Sequence, residues 1–165
     1  MRWSLTIPSH AHAITVRPYS PEDLDAVIEV FLRSIRETAS ANYNPDQIAG
    51  WAQADREVWS ERRSSRPTWI AEAEGQVAGF TDLENDGHLD MMYVHPELSG
   101  RGIARALLLA AEQYARRRSL MRMYSEVSLT ARPFFQRNGF YVVEPERVFR
   151  NGQWFDRFKM EKALV

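Results

Sequence analysis

The stretch from Val94 to Ala104, Val-His-Pro-Glu-Leu-Ser-Gly-Arg-Gly-Ile-Ala, constrains the fold more than any other part of the chain, because it must change secondary structure within one short loop. An apolar strand stops at His95-Pro96, since proline has no N–H to give a ladder. A long helix follows, with Ile103, Leu107, Ala110, Ala111 and Tyr114 recurring on one face. The first amides of a helix have no partner in the helix, and its positive end favours anionic oxygens. Gly100 and Gly102 let the backbone come close to such a group, and Arg101 adds charge at the rim. By itself the loop fits either an anion cradle or a tight strand-to-helix turn. A Rossmann loop is not supported, because its third glycine position holds Arg105 and the preceding strands look antiparallel. The Gly-Lys-Ser/Thr of a P-loop is absent.

The flanking sequence supplies the rest of a mixed α/β order. Val16 to Tyr19 reads as a strand, and Ser20-Pro21-Glu22-Asp23 as a helix start. Leu24, Val27, Ile28, Phe31, Leu32 and Ile35 then keep helical spacing. Asn44-Pro45-Asp46-Gln47 has the form of a capping box, and Arg56 to Arg63 is a possible third helix. Thr68 to Ala73 and Gln76 to Leu83 read as antiparallel strands around the Glu74-Gly75 turn. After Asn85-Asp86-Gly87 comes the apolar run His88 to Val94, a third strand. Beyond the long helix we expect a strand near Met121 to Val127 and a helix from about Thr130 to Arg137. Two final strands, Phe140 to Arg147 and Trp154 to Met160, flank the Arg150-Asn151-Gly152 turn. Residues 1–13 read as a flexible arm and residues 14–165 as a single domain, a length of chain that suffices for one core.

Charge and composition remove several classes of function. There are 21 Lys and Arg against 22 Asp and Glu, a net charge of -1, so the basic excess of a nucleic-acid binder is missing. Arg116-Arg117-Arg118 sits where a helix end favours cations. No cysteine is present, which excludes disulfides, cysteine–zinc sites and thiol nucleophiles. No apolar run approaches a membrane span, nor does the start read as a secretory signal. His10 and His12 lack further ligands and are discounted as a metal site. The expectation is therefore a cytoplasmic protein with no metal, nucleic-acid or membrane partner, monomeric or a homodimer through an exposed sheet edge.

With these elements in place, the loop resembles the acetyl-CoA signature of the GNAT superfamily of N-acetyltransferases, Gln/Arg-x-x-Gly-x-Gly/Ala. Ser99 stands at its first position, Gly102 at the glycine and Ala104 at the last. Ser128-x-x-Ala131-x-x-Phe134-Phe135-x-x-x-Gly139-Phe140 is similar to the second cofactor segment. Asp90 to Val94, Ala131 to Phe135 and Asn151 to Trp154 further resemble small bacterial YafP-like members. The resemblance runs from Ile14 to the C-terminus. It implies a mixed, mostly antiparallel twisted sheet with helices on both faces, and acetyl-CoA as cosubstrate. It implies that backbone groups of Met92, Tyr93 and Val94 pair with the pantetheine arm, and that amides of Ser99, Gly100, Arg101, Gly102, Ile103 and Ala104 hold the pyrophosphate. Ser128 and Phe135 belong to the second cofactor segment. Ser99 is shorter than the usual Gln or Arg and carries no charge.

The implied reaction is transfer of an acetyl group to a primary amine of a small molecule or peptide, by direct attack in a ternary complex. A base must take the amine proton, and an acid usually helps the thiolate leave. Counting back from Ser99, the family's base positions fall on His88 and Asp90, two residues apart on the expected strand and so on one face unless a bulge intervenes. His88 titrates near neutrality, while Asp90 acts through water, orients His88 or binds a cation. Each also has a purely local reading, as a solvated strand end or a cap. The family's acidic tyrosine falls on Phe135, which has no proton to give, so Tyr93 and Tyr124 are the candidates, or the thiolate leaves unaided. Asn42, Tyr43, Trp51 and Trp59 are expected acceptor walls, with Trp154 or Phe155 from the last hairpin, and Glu84, Glu29 and Asp82 to attract the amine. The rival expectation is a catalytically weak or inactive CoA-binding sensor or interaction module.

Overall fold

The computed structural model describes residues 5–8 and 13–165. Two strands, β1 (Leu5–Pro8) and β2 (Ala13–Pro18), precede helices α1 (Leu24–Arg33), α2 (Pro45–Trp51) and α3 (Arg56–Ser65). Strands β3 (Thr68–Ala73), β4 (Gln76–Asp82) and β5 (Met92–Val94) follow, then α4 (Ile103–Arg117), β6 (Arg122–Ser128), α5 (Arg132–Arg137), β7 (Tyr141–Arg150) and β8 (Gln153–Ala163). The expected element order is present with one correction at its start. Four residues of the supposed arm, Leu5–Pro8, pair antiparallel with β2 and extend the sheet. Their Leu-Thr-Ile alternates too briefly to register as a strand without its partner. His10 and His12 lie outside the described residues.

Helix starts follow local chemistry. The Asn44 side chain accepts from the Gln47 amide, and the Gln47 side chain accepts from the Asn44 amide, the reciprocal capping box expected for α2. Asp23 closes the α1 start by accepting from the Ser20 amide and binding Arg17 of β2 at 2.8 Å. After Arg33 the helix widens into a π turn at Ser34–Thr38 and a 3-10 turn at Ala39–Ala41, so the chain bends toward α2.

The strands form two antiparallel sheets, β1-β2-β3-β4-β5 and β6-β8-β7. Both faces of β3 and β4 are covered, which is why Trp69, Ile70, Ala71, Ala78 and Phe80 are all buried with no polar alternation. Their inner layer on one face packs Ile103, Leu107, Ala110 and Ala111 of α4. On the other face Val27, Phe31 and Trp59 of α1 and α3 pack against Ile70 and Phe80. The second sheet is more open, with Tyr141, Val143 and Phe149 of its edge strand exposed.

The sheets touch at their closed end and part at the other. His88 and Tyr124 form a parallel bridge, with Leu89 N donating to Tyr124 O at 2.9 Å and Tyr124 N to Gly87 O at 3.0 Å. Gly87 is required for that approach: a Cβ there would lie 2.3 Å from Arg122 O, and its φ is 95°. Beyond the bridge β5 pairs with β4, and β6 pairs with β8, leaving a wedge between them.

Candidate active site

The expected strand His88 to Val94 is regular only from Met92 to Val94, and Asp82 explains the break. Its fully buried carboxylate accepts from the amides of Asp90 and Met91 at 3.0 and 2.9 Å through one oxygen. The other oxygen binds Arg63 at 2.8 Å and Arg66 at 3.3 Å. Two amides that would otherwise face a neighbouring strand are thus turned onto a side chain. Asp82 is therefore part of the scaffold and does not reach an acceptor. Arg63, equally buried, lies 5.7 Å from the centroids of both Trp59 and Phe80. Trp59 is accordingly core and not an acceptor wall.

The wedge between β5 and β6 holds a cavity of about 460 Å³. Met92, Val127, Ser128, Ala131 and Phe135 line its α4–α5 side. Phe31, Tyr43, Trp51, Tyr93 and Phe155 form an aromatic chamber on the α1–α2 side. Tyr43 fixes that chamber: its hydroxyl donates to Asp156 O at 2.8 Å and accepts from Leu129 N at 3.0 Å. Asn42 instead accepts from Thr130 Oγ1 at 2.9 Å and does not line the cavity. Trp154 is exposed against Phe149, and Glu29 is exposed on α1.

His88 is not a free base. Its ring lies between Glu84, 2.7 Å from Nδ1, and Glu126, 2.5 Å from Nε2. The Glu126 bond, opposed by desolvation and aided by Glu84, pushes its pKa up to about 9, so the imidazole is already protonated at neutral pH. Glu84 is spent on His88 and Arg66 and lies outside the cavity lining, while Asp90, which does line it, binds Arg66 at 3.0 Å. Glu126 was missed in the sequence. It shares a face of β6 with Tyr124 and Ser128, and counting back two residues from Ser128 would have found it.

The two tyrosines separate. Tyr124 stacks on the His88 ring at 4.9 Å and donates to Asp86, at the end where the sheets are joined. Tyr93 lines the cavity beyond the parting, with its ring edge-on to Phe31 at 4.9 Å. Burial pushes the Tyr93 hydroxyl well above its ordinary range, so it keeps its proton. Phe135 is buried against Phe134 and Phe140, with no polar atom to offer the cavity.

The glycine loop leads from β5 to α4 through a 3-10 turn at Pro96–Leu98. Gly102 caps α4 with φ 84°, and Gly100 has φ 78°. A Cβ at either would meet nothing within 4 Å, so this backbone faces open space. The loop therefore fits a phosphate-bearing ligand through its α4 amides. Ser99 Oγ donates to Pro96 O at 2.9 Å, and Arg101 is paired with Glu74. Ser128 Oγ accepts from Ala131 N at 3.1 Å, capping the turn into α5. Among the described residues no group of three or more His, Asp or Glu side chains is placed to hold a metal, and no helix is long and apolar enough to cross a membrane.

Comparison with known proteins agrees with this architecture. The family model for the acetyltransferase (GNAT) domain matches residues 39–164. The chain is 37% identical over 151 residues to YafP of Escherichia coli, named as an uncharacterized N-acetyltransferase, covering 89% of this chain and 94% of that one. A GCN5-related N-acetyltransferase structure from Rhodopseudomonas palustris superposes with a TM-score of 0.87 at 33% identity, covering 90% of this chain and 94% of that one. The PaiA N-acetyltransferase of Thermoplasma acidophilum, solved in complex with coenzyme A, superposes at 0.71 with 27% identity, covering 91% and 98%. With the parted strands, the glycine-capped helix and these matches together, the chain belongs to the GNAT family of acetyltransferases.

Proposed function

We propose that the protein transfers an acetyl group from acetyl-CoA to a primary amine of a small molecule or peptide, by direct attack in a ternary complex. The observation that carries this is the wedge itself, open between β5 and β6, with the α4 amides at one end and an aromatic chamber at the other. The free edge of β5, Met92 to Val94, would pair with the pantetheine arm, and amides from Ser99 to Ala104 would hold the pyrophosphate. No cysteine exists for an acyl-enzyme.

Glu126 takes the role first expected of His88. An ammonium entering the aromatic chamber has its own pKa lowered by desolvation. It passes its proton to the Glu126 carboxylate, directly or through one water, and because the bond to His88 holds Glu126 below the usual carboxylate range, the proton goes on to solvent. Asp90, on the same cavity, helps draw the cation in. The neutral amine attacks the thioester carbonyl, the C–N bond forms, and the C–S bond breaks. Tyr93, still protonated, supplies a proton to the departing thiolate in place of the hydroxyl that Phe135 lacks. That lack is also what favours the rival reading, a CoA-binding module with weak or no turnover.

Calorimetric titration of acetyl-CoA, repeated with Gly102→Trp, tests the proposal. Saturable binding that the indole abolishes, with acetylation of at least one amine, is the expected result. Binding without turnover of any amine leaves the sensor module, and no binding to the folded protein removes both.

A further inference from the structure

The cavity is lined by groups of both charges. Asp90 and Glu126 on it are half-buried, whereas Arg62 of α3 and Arg150 at the end of β7 are exposed. These two exposed guanidinium groups make no hydrogen bond or ion pair with any described residue, whereas Arg17, Arg66 and Arg157 are all held by carboxylates. Two unneutralised forks from separate elements that line one cleft with its aromatic low-dielectric surfaces raise the positive potential at its exposed part.

The backbone beneath both arginines is anchored. Arg150 precedes Asn151, whose side chain donates to Gly50 O at 2.7 Å, and Gln47 of α2 donates to Trp154 O at 2.7 Å. The hairpin tip is thereby pinned to α2, with Asn151 itself at φ 49°. Arg62 adjoins the buried Arg63, which is bound to Asp82. Neither site needs to fold around a ligand before it can hold one.

We infer that the acceptor carries an anionic group, a carboxylate or a phosphate, on the same molecule as its amine, and that Arg62 and Arg150 hold this group while the ammonium lies toward Glu126 and Asp90. This rests on the acetyl-transfer reading for the use of the site. An acceptor bearing only cations would set its far charge against the arginines, whereas a zwitterionic one finds the opposite charge at each end. Because the contact is present before and during the reaction, it acts on binding more than on the chemical step.

The test uses β-alanine, its methyl ester and O-phosphoethanolamine as acceptors, with the unaltered protein and with Arg62→Gln, Arg150→Gln and the double variant. The acid should exceed its ester in kcat/KM by about tenfold. Each single variant should raise KM for the acid or the phosphate about fivefold and leave kcat, the ester and the KM for acetyl-CoA nearly unchanged. Whichever of β-alanine and O-phosphoethanolamine is used better assigns the anion. An ester used as well as the acid, or variants that weaken acetyl-CoA instead, overturns the inference while acetyl transfer stands. If no amine is acetylated, calorimetry of succinate into the CoA-saturated protein decides separately. Binding lost in the double variant upholds the anion site without acetyl transfer, and no binding to the unaltered protein, or binding kept by the double variant, overturns the anion site.

Discussion

At the α4 end of the cleft, what faces a ligand is backbone: the amides behind Gly102, on a loop where an added Cβ would meet open space. At the α1–α2 end it is side chains brought from α1, α2, β5, β6 and the β7–β8 hairpin. The first end is made by a short run of sequence and works wherever a strand hands over to a helix with glycines between. The second exists only when distant elements are packed in register. Side-chain substitution should therefore be mild at the loop unless it fills space, and severe in the scaffold that aligns the chamber.

The largest break in that contrast is expected at Asp82. Asp82→Ala leaves Arg63 as a buried charge without its carboxylate and frees the Asp90 and Met91 amides, a loss of about 3–5 kcal/mol. Urea unfolding measures it, and a loss below about 1 kcal/mol would mean that the chamber does not depend on this clamp. His88 should give a smaller effect with a pH signature. Its pKa is about 9 when folded and near 6.5 otherwise, so the folded state binds the proton more tightly. The resulting stability is full below about pH 6.5 and is lost as pH rises through about 9, on the order of 1–3 kcal/mol. Thermal melts of His88→Gln and the unaltered protein should converge across that window. A constant gap would assign the contribution to packing with Tyr124. Smallest is Ser99→Arg, which restores charge at the loop's first position and should tighten acetyl-CoA severalfold, about 1 kcal/mol. An effect tenfold or greater would show that side chains govern this end as well.

Glu126 and His88 illustrate why the candidate site was only partly legible. Nothing in the order of residues places Glu84, His88 and Glu126 together, because Glu126 comes from a strand beyond α4. Once both carboxylates are within hydrogen-bond reach, the imidazole changes from an apparent base to a fixed cation. The strand that was to set His88 and Asp90 on one face is interrupted by a buried aspartate eight residues earlier than Asp90. Phe135 is different: the absence of a hydroxyl there is a property of the residue, and burial changes nothing about it.

The sequence by itself determined the element order from Val16 onward, the capping box at Asn44, the glycine-capped start of α4 and, through them, the family. Each of these is a local matter of periodicity, missing N–H groups and permitted φ angles, written within a few consecutive residues. Only the tertiary structure decided that Leu5–Pro8 joins the sheet, that Asp82 breaks β5, that Glu126 faces the cleft beside a protonated His88, and that Arg62 and Arg150 line that same cleft. Those outcomes depend on distances between segments far apart in the chain, and burial and Coulomb interactions take their values only when those distances are fixed.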